Sequence, residues 1–305
     1  MKKKILWTIL VIILASSLLL VGCSPEEGEE GPRIVELGEY PQTIKAADVT
    51  ITETIEEDKI YLGSDGARYA KVVAHPGKNG YTFSDGTVIE TGATYYFKYE
   101  PIKWRVLSEE SDGTALVLSE KILDYQRYYD GRYTEENGVR YIESSSYYSN
   151  GRPISVYEYS SIREFLTKTF YTCAFTKDAD IQCIKGDSSD KVFLLNQTQA
   201  MIDGFGFAEH TYTDDPARIR ITTDYCRASY GFSISTEEGS YGAADWWLGS
   251  KYTKDEGVVQ LQESLGFDGK AKADEVAYVS REGAIKGEVA SYWNGVVPAM
   301  WIVLP

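Results

Sequence analysis

Histidine is nearly absent: His75 and His210 are the only two in 305 residues. They lie far apart and lack an H-x-x-x-H or C-x-x-C companion, so a zinc site of the usual spacing is not expected. Nor does the chain contain a G-x-S-x-G elbow or a Walker A loop, which argues against the common hydrolase and nucleotide-binding chemistries. Cysteine is scarce as well. Beyond Cys23 only Cys173, Cys183 and Cys226 occur, and an odd number permits at most one internal bridge. Cys173 and Cys183 are the nearest candidate pair, while free buried thiols fit equally well. Basic charge is short too, with 31 Lys and Arg against 46 Asp and Glu and a net charge of −15. Such a surface repels nucleic acid and anionic headgroups, although solubility alone also explains it.

Apolar residues are concentrated at the start. Lys2, Lys3 and Lys4 precede an uncharged run from Ile5 to Gly22, long enough to span a bilayer as a plain anchor. The run ends in Leu20-Val21-Gly22-Cys23, which resembles a bacterial lipobox, with small residues before a cysteine that receives diacylglycerol. Residues 1–22 are therefore expected to be a lipoprotein signal peptide and Cys23 the lipidated N-terminus. Residues 23–32 carry four carboxylates and, after Cys23, no apolar side chain, the composition of a solvated tether. Without the leader's three lysines, 28 basic residues face 46 acidic ones, a net charge of −18. Residues 33–305 are expected to form a single domain.

Within that domain, β-rich runs alternate with Asp-Gly pairs at Asp65-Gly66, Asp85-Gly86, Asp112-Gly113 and Asp268-Gly269. Asp-Gly suits the positive φ angles of tight hairpins. Strands are predicted at 69–73, 94–99, 102–107, 114–118, 245–250, 257–262, 276–280 and 298–304. No acidic stretch has EF-hand spacing, so calcium is not expected. Helices are predicted at the centre. Ser161 and Glu164 have the spacing of a capping box, followed by Phe165, Leu166 and Phe170 on one face. Weaker helical stretches follow at 177–184, 197–203 and 223–230, the last closed by Gly231. Strands, then helices, then strands predict an α+β fold of short antiparallel strands and hairpins flanking a few short helices. Trp246 and Trp247 are adjacent, so on a strand they point to opposite faces. They are expected to be core residues on both sides, with Leu248 beside Trp246.

The segment 125–159 contains nine tyrosines among Ser, Asn and Gly. Tyrosine in that company is the composition of binding loops, because it supplies large amphipathic contact area at low entropic cost. A long hairpin with half-buried tyrosines has the same composition. Tyr128, Tyr129, Tyr133, Tyr147 and Tyr148 are the candidate ligand contacts.

Several segments, taken in order, resemble the bacterial family of exported domains known as domain of unknown function 6273. They include Leu37-Gly38-Glu39-Tyr40-Pro41-Gln42, Tyr61-Leu62-Gly63-Ser64-Asp65-Gly66, Pro101-Ile102-Lys103-Trp104-Arg105-Val106-Leu107, Ser161-Ile162-Arg163-Glu164-Phe165-Leu166, Trp246-Trp247-Leu248 and Gly295-Val296-Val297-Pro298-Ala299. The resemblance implies a compact α+β module akin to the C-type-lectin-like fold of sulfatase-modifying-factor domains. Two departures stand out: Gly249 replaces an arginine that commonly follows Trp-Trp-Leu, and the segment 125–159 is longer than usual. The enzymes of that wider fold use a C-terminal cysteine pair for copper or a histidine-built iron site. This chain has no match for either.

The expectation is a non-catalytic lipoprotein on the extracytoplasmic side of the cell membrane, held in the bilayer by Cys23. Its partner would be a cell-wall polysaccharide, a peptide or a surface protein, with no nucleic acid, cofactor or metal. The alternatives are a metal-dependent modifying enzyme of the sulfatase-modifying-factor type and a structural envelope protein.

Overall fold

The computed structural model describes residues 31–55, 59–143, 152–185, 190–229, 231, 233–255, 259–260 and 271–304. The signal peptide with Cys23, the tyrosines at 147 and 148, Asp268-Gly269 and most of the strand predicted at 257–262 lie outside the described residues.

A long strand, β5 (Thr94–Glu109), organises the larger sheet. β1 (Ile34–Ile44) runs antiparallel along one edge of it, from Ile34 opposite Arg105 to Ile44 opposite Phe97. The other edge is shared. β4 (Arg68–Val73) pairs with its first residues and β6 (Thr114–Ser119) with its last. β3 (Ile60–Gly63), β2 (Ile51–Ile55) and β16 (Ala299–Val303) complete seven strands in the order β16-β6-β5-β4-β3-β2, with β1 on β5. The predicted runs 94–99 and 102–107 are thus one strand. Pro101 lies inside it, where it lacks an N–H for the ladder. It stands opposite Glu39, where the β1 register shifts, so the proline falls at a bulge. Its carbonyl accepts from Gln42 Nε2 at 3.0 Å.

Three of the turns are built alike. Ser64-Asp65-Gly66, Ser84-Asp85-Gly86 and Ser111-Asp112-Gly113 each put glycine at positive φ, 75°, 86° and 81°. In each, the aspartate Oδ1 accepts the backbone N–H two residues on, at 3.1, 2.8 and 2.9 Å. The short acidic side chain closes an Asx turn and glycine tolerates the left-handed conformation, so three short residues return the chain.

The second sheet is assembled from distant segments. β8 (Asp124–Arg127), β12 (Trp246–Lys251), β13 (Glu275–Val279), β14 (Ile285–Val289) and β15 (Trp293–Val296) run in the order β14-β13-β12-β15-β8. β15 is parallel to β12 and antiparallel to β8. β7 (Lys121–Ile122) makes a short parallel pair with β11 (Ile221–Thr222). β9 (Tyr133–Glu136) and β10 (Val139–Ile142) form a hairpin whose turn is Asn137-Gly138, with φ of 52° and 74°. The architecture is mixed α+β, mostly strand with few short helices, in several antiparallel and mixed sheets.

The helical stretch after the tyrosines is α1 (Ser161–Glu164), a π-helical turn at Phe165–Phe170, and α2 (Tyr171–Ala174). Its cap is shifted by one from the expected position. Ser160, in extended conformation, accepts from the Arg163 amide at 3.2 Å, whereas Ser161 Oγ accepts from the Asp130 amide at 2.9 Å. α3 (Asp178–Cys183) and α4 (Asp224–Ala228) follow, the latter capped by Thr223. The stretch predicted as helix at 197–203 contains only the single 3-10 turn Gln199–Met201, with another at Asp203–Phe205. Arg218 organises this irregular region. Its guanidinium is fully buried and donates to the carbonyls of Ala200 at 2.9 Å, Gly283 at 3.1 Å and Ala208. Asp215 supplies the counter-charge at 3.4 Å.

Residues Arg33–Pro305 form one unit, with the core in two layers. Trp246 and Leu248 pack with Phe83, Phe97 and Leu118 on one side of β12, and Trp247 packs with Tyr128, Ile162, Leu166 and Phe170 on the other. Both indoles are fully buried. Each N–H is satisfied, Trp246 by the Arg218 carbonyl at 3.1 Å and Trp247 by that of Gln126 at 2.9 Å. Burying about 200 Å² of indole stabilises by at most ~5 kcal/mol, so the doublet anchors the fold and leaves no ring free for a ligand. Among the described residues no helix is long and apolar enough to cross a membrane. Cys173, Cys183 and Cys226 are all free thiols, and only Cys226 is buried.

Candidate functional site

β8 and β15 bring two aromatic-rich segments side by side. Their antiparallel register sets Trp293 opposite Arg127 and Gly295 opposite Tyr125, so Trp293, Arg127 and Tyr125 emerge on the same face. The Tyr125 ring stacks on Trp293 with centroids 5.3 Å apart and planes 27° from parallel, and the Arg127 guanidinium lies 5.2 Å from the centre of the same indole. Burial, together with the Asp245 charge, pushes the Tyr125 hydroxyl up to about 12, so that ring stays neutral. Beside this stack opens a groove of about 430 Å³. Tyr292, Trp293 and Ser291 line one side, and Arg127, Tyr129, Asp130, Gly131, Tyr133 and Arg140 line the rest. Tyr292 is 56 % exposed and Tyr133 42 % exposed, so their rings are open to a ligand.

The polar groups of the groove come in opposed pairs. Arg127 Nη1 meets Asp130 Oδ1 at 2.8 Å. Arg140 meets Asp274 at 3.4 Å and Glu135 at 3.7 Å, with its guanidinium 5.5 Å from the centre of the Tyr133 ring. Burial works against the Arg140 charge, but the Tyr133 hydroxyl, Glu135 and Asp274 more than offset it and hold its pKa above the ordinary value. Asp274 is itself fully buried. Its Oδ2 accepts from the Arg140 amide at 3.1 Å, while its Oδ1 and Arg140 Nε have no hydrogen-bond partner. Asp274 thus sits beneath the groove wall as a buried counter-charge for Arg140.

The expected tyrosine contacts separate into different roles. Tyr133 lines the groove and is exposed. Tyr129 also lines it, but only 8 % of the residue is exposed and its hydroxyl donates to the Arg132 carbonyl at 3.1 Å. Gly131 fits beneath that hydroxyl, since a Cβ there would stand 2.5 Å from it. Tyr128 corrects the expectation. It is fully buried against Trp247, with centroids 5.6 Å apart, and is a core residue. The two tyrosines follow the end of β8, at a bend, and both pack into the same core cluster, with Tyr129 at its edge beside the groove. Burial pushes the Tyr128 hydroxyl well above its usual pKa, and that hydroxyl has no hydrogen-bond partner.

Tyr292, Trp293, Arg127 and Arg140 were not anticipated. Tyr292-Trp293 is an aromatic doublet like Trp246-Trp247, but the strand pairing that sets it beside Arg127 has no local sequence signature. A smaller hollow of about 280 Å³ lies between β1 and β5, lined by residues such as Glu36, Glu100, Glu120, Lys103 and Lys121, without an aromatic ring. Among the described residues no group of three or more His, Cys, Asp or Glu is placed to hold a metal ion. Stacking rings with planar hydrogen-bonding side chains can bind a polar ligand that has an apolar face. No family model, curated protein or solved structure matches the chain.

Proposed function

We propose that this chain is a lipid-anchored extracytoplasmic protein whose domain binds a saccharide of the cell wall in the groove between β15 and the β9–β10 hairpin. The observation that carries the reading is the groove itself: open Tyr133 and Tyr292 rings beside Trp293, with two oriented guanidiniums between them. A pyranose ring has an apolar C–H face that stacks on aromatic side chains and equatorial hydroxyls that meet planar donors and acceptors. The frame is read as the C-type-lectin-like, sulfatase-modifying-factor-like arrangement that the sequence resemblance implies, used for binding without catalysis. Attachment to the bilayer through Cys23 sets the groove outside the membrane on a short acidic tether.

The test uses the full-length protein purified in detergent and offered to solubilised cell-wall fragments and a glycan array. Retention is expected, and loss of retention in Tyr292→Ala and Trp293→Ala. Retention unchanged in both variants overturns the site. Metabolic labelling with palmitate tests the anchor, since a Cys23→Ser chain should carry no label.

A further inference from the structure

We propose that the groove selects neutral, hydroxyl-rich saccharides over carboxylated or phosphorylated ones, an inference that rests on the saccharide-binding reading above. Two arginines in an otherwise acidic protein suggest an anion site at first sight. The ion pairs point the other way. Arg127 is matched by Asp130, and Arg140 by both Asp274 and Glu135, so no guanidinium facing the groove is left with uncompensated charge. An incoming carboxylate would have to displace one of these partners or sit beside it. Between unit charges about 4 Å apart near a protein surface, that repulsion is comparable to the attraction it competes with.

A neutral hydroxyl meets no such conflict, because it donates and accepts at once. The Arg127–Asp130 pair, both members of which line the groove, presents a donor beside an acceptor, the pattern that vicinal hydroxyls complement. Asp274 is fully buried behind Arg140, so it balances that charge without offering an oxygen to a ligand. The rings of Tyr133 and Tyr292 take the C–H face of the sugar and are indifferent to its charge.

Calorimetric titration of the full-length protein with cellotetraose, chitotetraose and tetragalacturonate, at low and high salt, tests this. At least one neutral tetrasaccharide is expected to bind about tenfold or more tighter than the acidic one, with an affinity that salt barely changes. Asp130→Asn, which unbalances Arg127, should raise tetragalacturonate affinity severalfold and make it salt-sensitive. Tighter, salt-sensitive binding of tetragalacturonate by the unmodified protein, lost in Tyr292→Ala, overturns the neutral preference and leaves the saccharide site standing. Binding of none of the three, or binding that Tyr292→Ala and Trp293→Ala leave intact, overturns the site as well.

Discussion

The guanidinium of Arg127 lies 5.2 Å from the centre of the Trp293 ring, directly across the β8–β15 ladder. Its side chain is 43 % exposed, and its salt-bridge partner Asp130 62 % exposed. An exposed pair and a solvated cation–π contact each contribute no more than about 1 kcal/mol. Arg127→Ala is therefore expected to leave the melting temperature nearly unchanged and to weaken saccharide binding by about tenfold or more, the worth of a lost charge-assisted hydrogen bond. Thermal denaturation and titration of the same preparation check both halves.

Tyr128 makes the opposite prediction. Its ring fills the core against Trp247, but its hydroxyl is buried without a partner. An unsatisfied buried hydroxyl costs ~1–3 kcal/mol, so Tyr128→Phe should leave stability unchanged or raise it by up to about 1 kcal/mol. Tyr128→Ala should cost about 3–5 kcal/mol, as expected for an emptied aromatic site. Ligand affinity should not move with Tyr128→Phe. A variant that folds normally and binds nothing would return Tyr128 to the contact surface.

Acid stability should report on Asp124. Its carboxylate accepts hydrogen bonds from the Tyr40 hydroxyl, the Tyr125 amide and Gln126. Burial nevertheless pushes its pKa above the ordinary carboxylate value, outweighing those bonds. The folded protein therefore holds a proton that the unfolded chain, with a carboxyl pKa of about 3.9, has already released. Native protons then exceed unfolded ones, so this group's contribution is fully present below the unfolded pKa and is lost as pH rises through the folded one. Asp124→Asn, whose amide can donate to Tyr40, removes that loss. Across the interval from pH 4 towards neutrality, the wild type should lose stability relative to the variant. Parallel melting curves at every pH would contradict this.

Gly283 is fixed by space and by conformation together. Its φ is +95°, and a Cβ there would stand 2.1 Å from the Asp215 carbonyl oxygen. That contact joins the β13–β14 turn to the segment Arg218 holds together. Gly283→Ala should destabilise by more than about 2 kcal/mol, since strain and backbone collision add. Denaturant unfolding measures it. The exposed Gly86 also has positive φ but nothing within 4 Å of a Cβ, so Gly86→Ala should cost less.

What the sequence made legible is what short-range chemistry controls. The Asp-Gly pairs at 65–66, 85–86 and 112–113 became matching turns because the aspartate, the glycine and the amide that follows contain the whole device. Trp246, Trp247 and Leu248 divided between two core layers because strand geometry alternates whatever the partner. The helix cap was misplaced by one because Ser160 and Ser161 are chemically equivalent, and only the Asp130 amide, brought in by tertiary structure, distinguishes them. The groove was half visible. Tyrosine density marked its 129–133 side, but Tyr128 is packed into the core against Trp247, and the partner residues 291–293 arrive through pairing between segments far apart in the chain. Nothing near Trp293 in sequence announces Arg127.

On the proposed function, a saccharide occupies the groove beside Trp293. A crystal structure of the protein with its best-binding neutral tetrasaccharide tests this most directly. A sugar ring is expected against Tyr292 or Tyr133, with its hydroxyls on Arg127 and Arg140. A saccharide bound elsewhere, with Tyr133 and Tyr292 still open to solvent, would contradict it.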